Sequence, residues 1–312
     1  MPMPDDLVFI RHAQSEANVI QKADKAGILH RKHDIVTARP DWQQRLSRLG
    51  IEQATQAREW IDRNLGGVAM FDVGFYSTFL RTRDTGGILG APRQGWLHDD
   101  RIVERNWGLY GALTRAERQK RFAETVRMHA ADPWFTKLDG GESRSDVRFR
   151  YRDFQGTLQR EQSGRKVIAV THGDFMGVAR YDIERMLPEQ FEEVEADPEQ
   201  NITNCMLIHY TRVNPSNNGD VRNSLQWRRM TNPLDEDKSP FGGEWVELPP
   251  RPHFTAEDLL EQANQAPRLL DDDDEYCIEP EESARLRGLG AAAFRPTGLI
   301  SVAKNLRKLL HK

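Results

Sequence analysis

A three-layer α/β/α sandwich with a mostly parallel central sheet is predicted by three features of the chain. Apolar runs of strand length alternate with helical patterns through the first two-thirds, and two of those runs stop abruptly at a histidine. After about residue 231, proline and charge take over, so the sandwich is expected to carry an irregular C-terminal extension.

Taken in order, Leu7-Val-Phe-Ile10 is an apolar run without polar alternation, which predicts a buried strand over 6–12 ending in Arg11-His12. Residues 19–43 form an unusually long segment carrying Lys22, Lys25, Arg31, Lys32, His33 and Arg39. It reads as a solvated face, with a lid selecting an anionic substrate as the alternative. Ala54, Ala57, Trp60 and Ile61 make one buried stripe of a helix over 48–64. A strand over 70–76 leads into a Ser/Thr turn and a helix that Gly86-Gly87 weakens.

Helices over 114–128 and 144–163 precede a strand over 166–171, which stops at His172 before a helix over 174–186. Strands over 204–211 and 224–230 complete the sheet, and Trp107, Tyr110 and Trp134 read as core more readily than as pocket wall. A boundary is expected after residue 232, separating a main domain of 1–232 from an extension of 233–312 with short helices near 255–265 and 280–288. The acidic run Asp271 to Glu275 reads as a solvated linker, and Leu299 to Leu310 as a basic amphipathic helix docked on the protein's own surface.

In open α/β sheets ligands bind beyond the carboxyl ends of the strands, so Arg11-His12 and Thr171-His172-Gly173 are placed to share one site. Ser77-Thr-Phe-Leu-Arg81 adds an arginine just past a third strand end. Two arginines and two histidines drawn together are costly unless an anion fills the space between them. A phosphoryl group fits best, because the planar arginine fork matches its oxygens and helix N-termini offer free N–H groups to the same charge. An acid is also needed, and from the residues alone Glu104, Glu142 and Asp174 all qualify.

Arg11-His12-Ala-Gln-Ser15-Glu-Ala-Asn18 resembles the Arg-His-Gly-x-Ser-x-x-Asn signature of the histidine phosphatase superfamily, also called phosphoglycerate mutase-like, with Ala13 in place of glycine. Leu46-Ser-Arg-Leu-Gly50, Ser77 to Thr85, Glu104-Arg-Asn-Trp-Gly108, Gly140-Gly-Glu-Ser143 and Thr171-His-Gly173 are similar to further elements of that family, in its order, between about residues 6 and 211. Thr78 stands where proline is common. The resemblance implies a phosphatase acting through a phosphohistidine on His12, with Glu104 selected as general acid and base. Arg11, Arg81 and His172 would stabilise the transferred group, and Asn18, Ser15 and Gly173 would complete the phosphate cradle. A phosphomutase is the alternative, and a scaffold that has kept the fold is a third. Arg115 lies where the glycolytic mutases carry lysine, but 19–43 does not resemble theirs, which favours the hydrolase.

The chain has 312 residues, enough for one sizeable core plus an extension, and its formal net charge of −4 offers no basic excess for nucleic acid. Cys205 and Cys277 supply neither a disulfide framework nor a metal set, so no cofactor is expected. No apolar run approaches membrane-spanning length and Met1 to Asp6 is acidic, so a cytoplasmic enzyme is expected. Its partner would be a phosphorylated small molecule or phosphoprotein; oligomeric state is left open.

Overall fold

The computed structural model describes residues 1–269; Cys277, the acidic run and the two helices expected beyond it lie outside the described residues. Its first compact unit runs Met1–Pro249. The chain forms β1 (Asp6–Arg11), α1 (Glu16–Lys25), α2 (His33–Thr37), α3 (Arg48–Leu65), β2 (Val73–Tyr76), α4 (Leu80–Leu89) and β3 (Trp96–His98). Then come α5 (Arg115–Arg121), α6 (Ala123–Ala131), α7 (Arg144–Glu161), β4 (Lys166–Thr171), α8 (Gly173–Ile183) and α9 (Pro188–Ala196). The strand β5 (Leu207–Thr211), a hairpin of β6 (Val213–Asn214) and β7 (Asn217–Val221), β8 (Trp227–Thr231) and β9 (Val246–Glu247) close the unit.

The main sheet has the order β3-β2-β4-β1-β5-β8-β9. β1, β2, β3 and β4 are mutually parallel, while β5 runs antiparallel to β1 and β8 antiparallel to β5, so only β5 and β9 oppose the rest. Alternation along β1 explains the layers. Leu7 and Phe9 pack with Val147, Tyr151 and Phe154 of α7 and Phe175 of α8, whereas Val8 and Ile10 pack with Ala54, Ala57, Trp60 and Ile61 of α3. Each fully buried side chain of this size contributes roughly 1.5–3 kcal/mol, which is why a strand polar on either face would not hold this position.

The elements differ from expectation where polar side chains or single residues decide the geometry. The 19–43 segment contains α2 and most of α1: Ser15 and Asn18 form a reciprocal capping box that starts α1, yet only Ile20 of that helix is buried, so its hydrophobic signal is faint. The helix expected over 114–128 breaks into α5 and α6 at Phe122, which leaves helical geometry with φ −135° and ψ 39°. Strand β5 starts at Leu207 because Cys205 occupies the left-handed region at φ 62°. The unit extends past residue 232 because β9 pairs with β8 and Leu248 lies in the main core. Beyond Pro249, α10 (Ala256–Asn264) is started by Thr255, which accepts from the Asp258 N–H. No helix among the described residues is long and apolar enough to cross a membrane.

Gly50, in the first turn of α3, sets how closely that helix approaches the loop after His12. A Cβ there would lie 2.0 Å from the Gln14 carbonyl oxygen. Gly87, in contrast, has open space around its Cα hydrogens inside α4. Gly50→Ala is therefore expected to cost about 1–3 kcal/mol through forced displacement of backbone, while Gly87→Ala gains about 0.5–1 kcal/mol of helix propensity. Urea midpoints of the two variants check both signs, and a Gly50→Ala protein as stable as the parent contradicts the packing described.

Candidate active site

Because β4 lies between β1 and β2, three strand ends meet at one edge. Arg11 pairs in register with Thr171, and Tyr76 with Val170, so His12, His172 and Ser77 all follow strand ends side by side. The rings of His12 and His172 stand 5.1 Å apart at 64°, and both side chains are buried. His172 Nε2 is 2.7 Å from Ser77 Oγ, while its Nδ1 is buried without a partner.

His12 Nδ1 lies 2.7 Å from the Ala13 carbonyl oxygen, which can only accept, so this nitrogen carries the proton and Nε2 keeps its lone pair. Arg81 Nε donates to that Nε2 at 3.2 Å. Ala13 replaces glycine without strain, since its φ is not positive. Burial, then Arg81 and Arg11, hold His12 well below the usual imidazole range; burial, then Arg81, His12 and Arg11, do the same to His172. Both rings are thus neutral near pH 7.

Arg11 donates through Nη1 to the Ile202 carbonyl at 2.6 Å, and its Nε is buried without a partner. Gly173, the first residue of α8, permits this placement, because a Cβ there would come within 3.3 Å of the Arg11 guanidinium. Ser15 caps α1, its hydroxyl accepting from the Asn18 N–H at 3.3 Å. Asn18 Oδ1 accepts from the Ser15 N–H and from Asn204 Nδ2, so the amide Nδ2 is the end of Asn18 left to donate into the cavity.

Glu104 follows the 3-10 turn Asp100–Ile102 beyond β3, and its Oε1 accepts from the backbone N–H of Arg105 and Phe175. Burial and the like charge of Asp174 push its pKa up to about 7. Glu142 is occupied otherwise: both of its carboxylate oxygens accept from Arg150, and one also from the Asn106 N–H. Asp174 keeps one buried oxygen unpartnered.

Arg11, His12, Ser15, Asn18, Arg81, Glu104, Gly173 and Asp174 line one cavity of about 1320 Å³, together with Trp107 and Tyr110. Trp134 instead packs on Tyr181 in the core, with ring centroids 4.0 Å apart. Arg11 Nε, His172 Nδ1 and Asp174 Oδ2, each buried without a protein partner, lie at this edge. Two neighbours were absent from the expected set. Asn204 donates to the His12 carbonyl at 2.9 Å, and Asp41 grips Arg81 through both carboxylate oxygens. A lone Asn before a strand and an Asp within a mixed-charge segment carry no pattern that separates them from ordinary turn residues.

Arg11 and Arg81 beside two neutral imidazoles, at the carboxyl ends of a mostly parallel sheet, give an α/β protein a cationic site whose chemistry suits an anion. The family model of the histidine phosphatase superfamily (branch 1) matches residues 7–213, and the chain belongs to that superfamily. Phosphoserine phosphatase 1 of Hydrogenobacter thermophilus is 26% identical over 167 residues, covering 53% of this chain and 70% of the relative. A 2,3-bisphosphoglycerate-dependent phosphoglycerate mutase 2 of Gloeobacter violaceus is 29% identical over 138 residues, 41% of this chain and 61% of the mutase. The fold is shared with the alpha-ribazole phosphatase of Shigella flexneri, at a TM-score of 0.52 and 18% identity over 70% of this chain and 95% of that one. It is shared also with mycobacterial glucosyl-3-phosphoglycerate phosphatase, at 0.51 and 21% over 72% and 96%.

Glu104 binds its proton more tightly in the folded chain than in the unfolded one, so its contribution is full below about pH 4.5 and is lost as pH rises through about 7. Glu104→Gln removes that loss. Relative to the parent, the variant is expected to be more stable at pH 8.5 than at pH 5, and urea midpoints at the two pH values test the sign.

Proposed function

We propose that this chain is a phosphate monoester hydrolase working through a phosphohistidine on His12, with Glu104 as general acid and then general base. The observation that carries the reading is the 2.7 Å contact of His12 Nδ1 with the Ala13 carbonyl oxygen, which leaves Nε2, beside Arg81 in the cationic end of the cavity, as the unprotonated nitrogen. As substrate binds, the Arg81 Nε–H passes from His12 Nε2 to a phosphoryl oxygen; the freed Nε2 lone pair attacks phosphorus, the bond from phosphorus to the ester oxygen breaks, and protonated Glu104 gives its proton to the leaving alkoxide. Water then attacks the phosphohistidine while Glu104 takes a proton from it, which releases inorganic phosphate and restores both groups.

Negative charge on the transferred group is met by Arg11, Arg81, the amide of Asn18 and the free N–H groups at the start of α8, where Gly173 sits. Burial and the neighbouring cations favour neutral His172, and an arriving phosphoryl dianion favours its protonated form, so it joins the positive set as substrate binds. The cavity, with aromatic and cationic walls, suits a small phosphorylated metabolite, in keeping with the phosphoserine and glucosyl-3-phosphoglycerate phosphatases among the similar proteins.

Phosphate release from 4-nitrophenyl phosphate and from an alkyl phosphate tests the scheme. His12→Ala is expected to lower both by at least about a thousandfold, and full activity without His12 refutes the mechanism. Glu104→Gln should impair the alkyl ester at least about tenfold more than the aryl ester, whose leaving group needs no proton. With the parent, kcat/KM for the alkyl ester should fall above about pH 7, where Glu104 loses its proton. Equal losses on both esters assign the acid to Asp174.

A further inference from the structure

Arg81 presents two hydrogen-bonding forks, and this structure uses them differently. Its end-on fork is taken by Asp41: Nη1 donates to Oδ1 at 2.9 Å and Nη2 to Oδ2 at 3.2 Å, while Nη1 also reaches the Asp41 backbone carbonyl at 2.8 Å. Its side-on fork, Nε with the second N–H of Nη2, is directed at His12, since Nε donates to His12 Nε2. We infer that Asp41 is a positioning residue, which holds Arg81 by its far edge so that the near edge meets the phosphoryl group. The assignment rests on the phosphoryl site proposed above.

Several contacts show that Asp41 is a built partner of Arg81. Arg81 is 4% exposed, and Asp41 is its ion-pair partner among the described residues. A buried guanidinium without a counter-charge would be expensive, yet a carboxylate on the near edge would block the anion; Asp41 balances the charge from the far edge. The Phe79 ring lies under the guanidinium at 4.7 Å and itself meets the His172 ring edge-on at 5.1 Å, so the plane of Arg81 is set as well as its edge. The turn Asp41–Gln43 is anchored in its own right, because Gln44 Nε2 donates to the carbonyls of Val36 and Arg39. The segment between α1 and α3 thereby reaches the reacting nitrogen through two side chains.

A double-mutant cycle tests the inference, with turnover of 4-nitrophenyl phosphate and calorimetric binding of inorganic phosphate as readouts. The Asp41 side chain is about half exposed, so its variants are expected to fold. Asp41→Ala should lower kcat about tenfold to a hundredfold, the scale of a misplaced catalytic group, and weaken phosphate binding. Asp41→Asn, which keeps one side-chain acceptor, should recover part of both. In an Arg81→Ala background Asp41→Ala should cost less than about twofold, because its effect passes through Arg81. Tighter phosphate binding by Asp41→Ala would make Asp41 a competitor for the anion, and equal losses in both backgrounds would make it act elsewhere; either result overturns the inference. Phosphate binding that depends on both residues, in a protein that turns over no ester, would refute the hydrolase reading and leave the positioning role standing.

Discussion

The hydrogen bond from His12 Nδ1 to the Ala13 carbonyl, 2.7 Å long, decides which ring nitrogen faces the cavity, and four distant segments hold the backbone that makes it. Thr85 of α4 accepts from the Ala13 N–H. Gly50 lets α3 rest against Gln14. Asn204 donates to the His12 carbonyl, and the His12 N–H bonds the Thr171 carbonyl on the neighbouring strand. An imidazole on a freely moving loop would sample both tautomers and many orientations, whereas here rotation and tautomer are both restrained before any ligand arrives.

Electrostatics follows from that restraint. Burial of the two imidazoles, reinforced by the charges of Arg81 and Arg11, keeps both rings neutral, which is the state in which nitrogen is a nucleophile. The same burial leaves Arg11 Nε and His172 Nδ1 unsatisfied, a standing cost that an anion with several oxygens can relieve. Across the cavity, burial and Asp174 raise Glu104 to about 7, so a carboxylic acid and a basic imidazole coexist near neutrality. One low-dielectric cleft therefore moves a carboxyl and two histidines in opposite directions, each toward its neutral form.

Much of this was legible in the chain because strands that are covered on both faces must be apolar throughout, so the polar residues that end them stand out. Arg11-His12 and Thr171-His172 were visible for that reason, and the parallel pairing of β1 with β4 brings them together. Arg81 was legible through its distance from a third strand end. Less was legible where polar contacts carry the structure: α1 buries only Ile20, and its start depends on a Ser15–Asn18 capping box that a hydrophobic pattern does not reveal. Asp41 and Asn204 were hidden because each acts through one side-chain contact to a residue far away in sequence. On the residues alone Glu104 and Glu142 could not be separated; the engagement of Glu142 by Arg150 is what distinguishes them in the structure.

The central claim is that His12 Nε2 becomes covalently phosphorylated during turnover, and it is tested most directly by trapping that species. Turnover of a labelled monoester, quenched without acid and digested, should yield an acid-labile, base-stable phosphoryl group on the His12 peptide, absent from His12→Ala. Label on the His172 peptide instead, or turnover with no labelled histidine at any time point, would contradict the account.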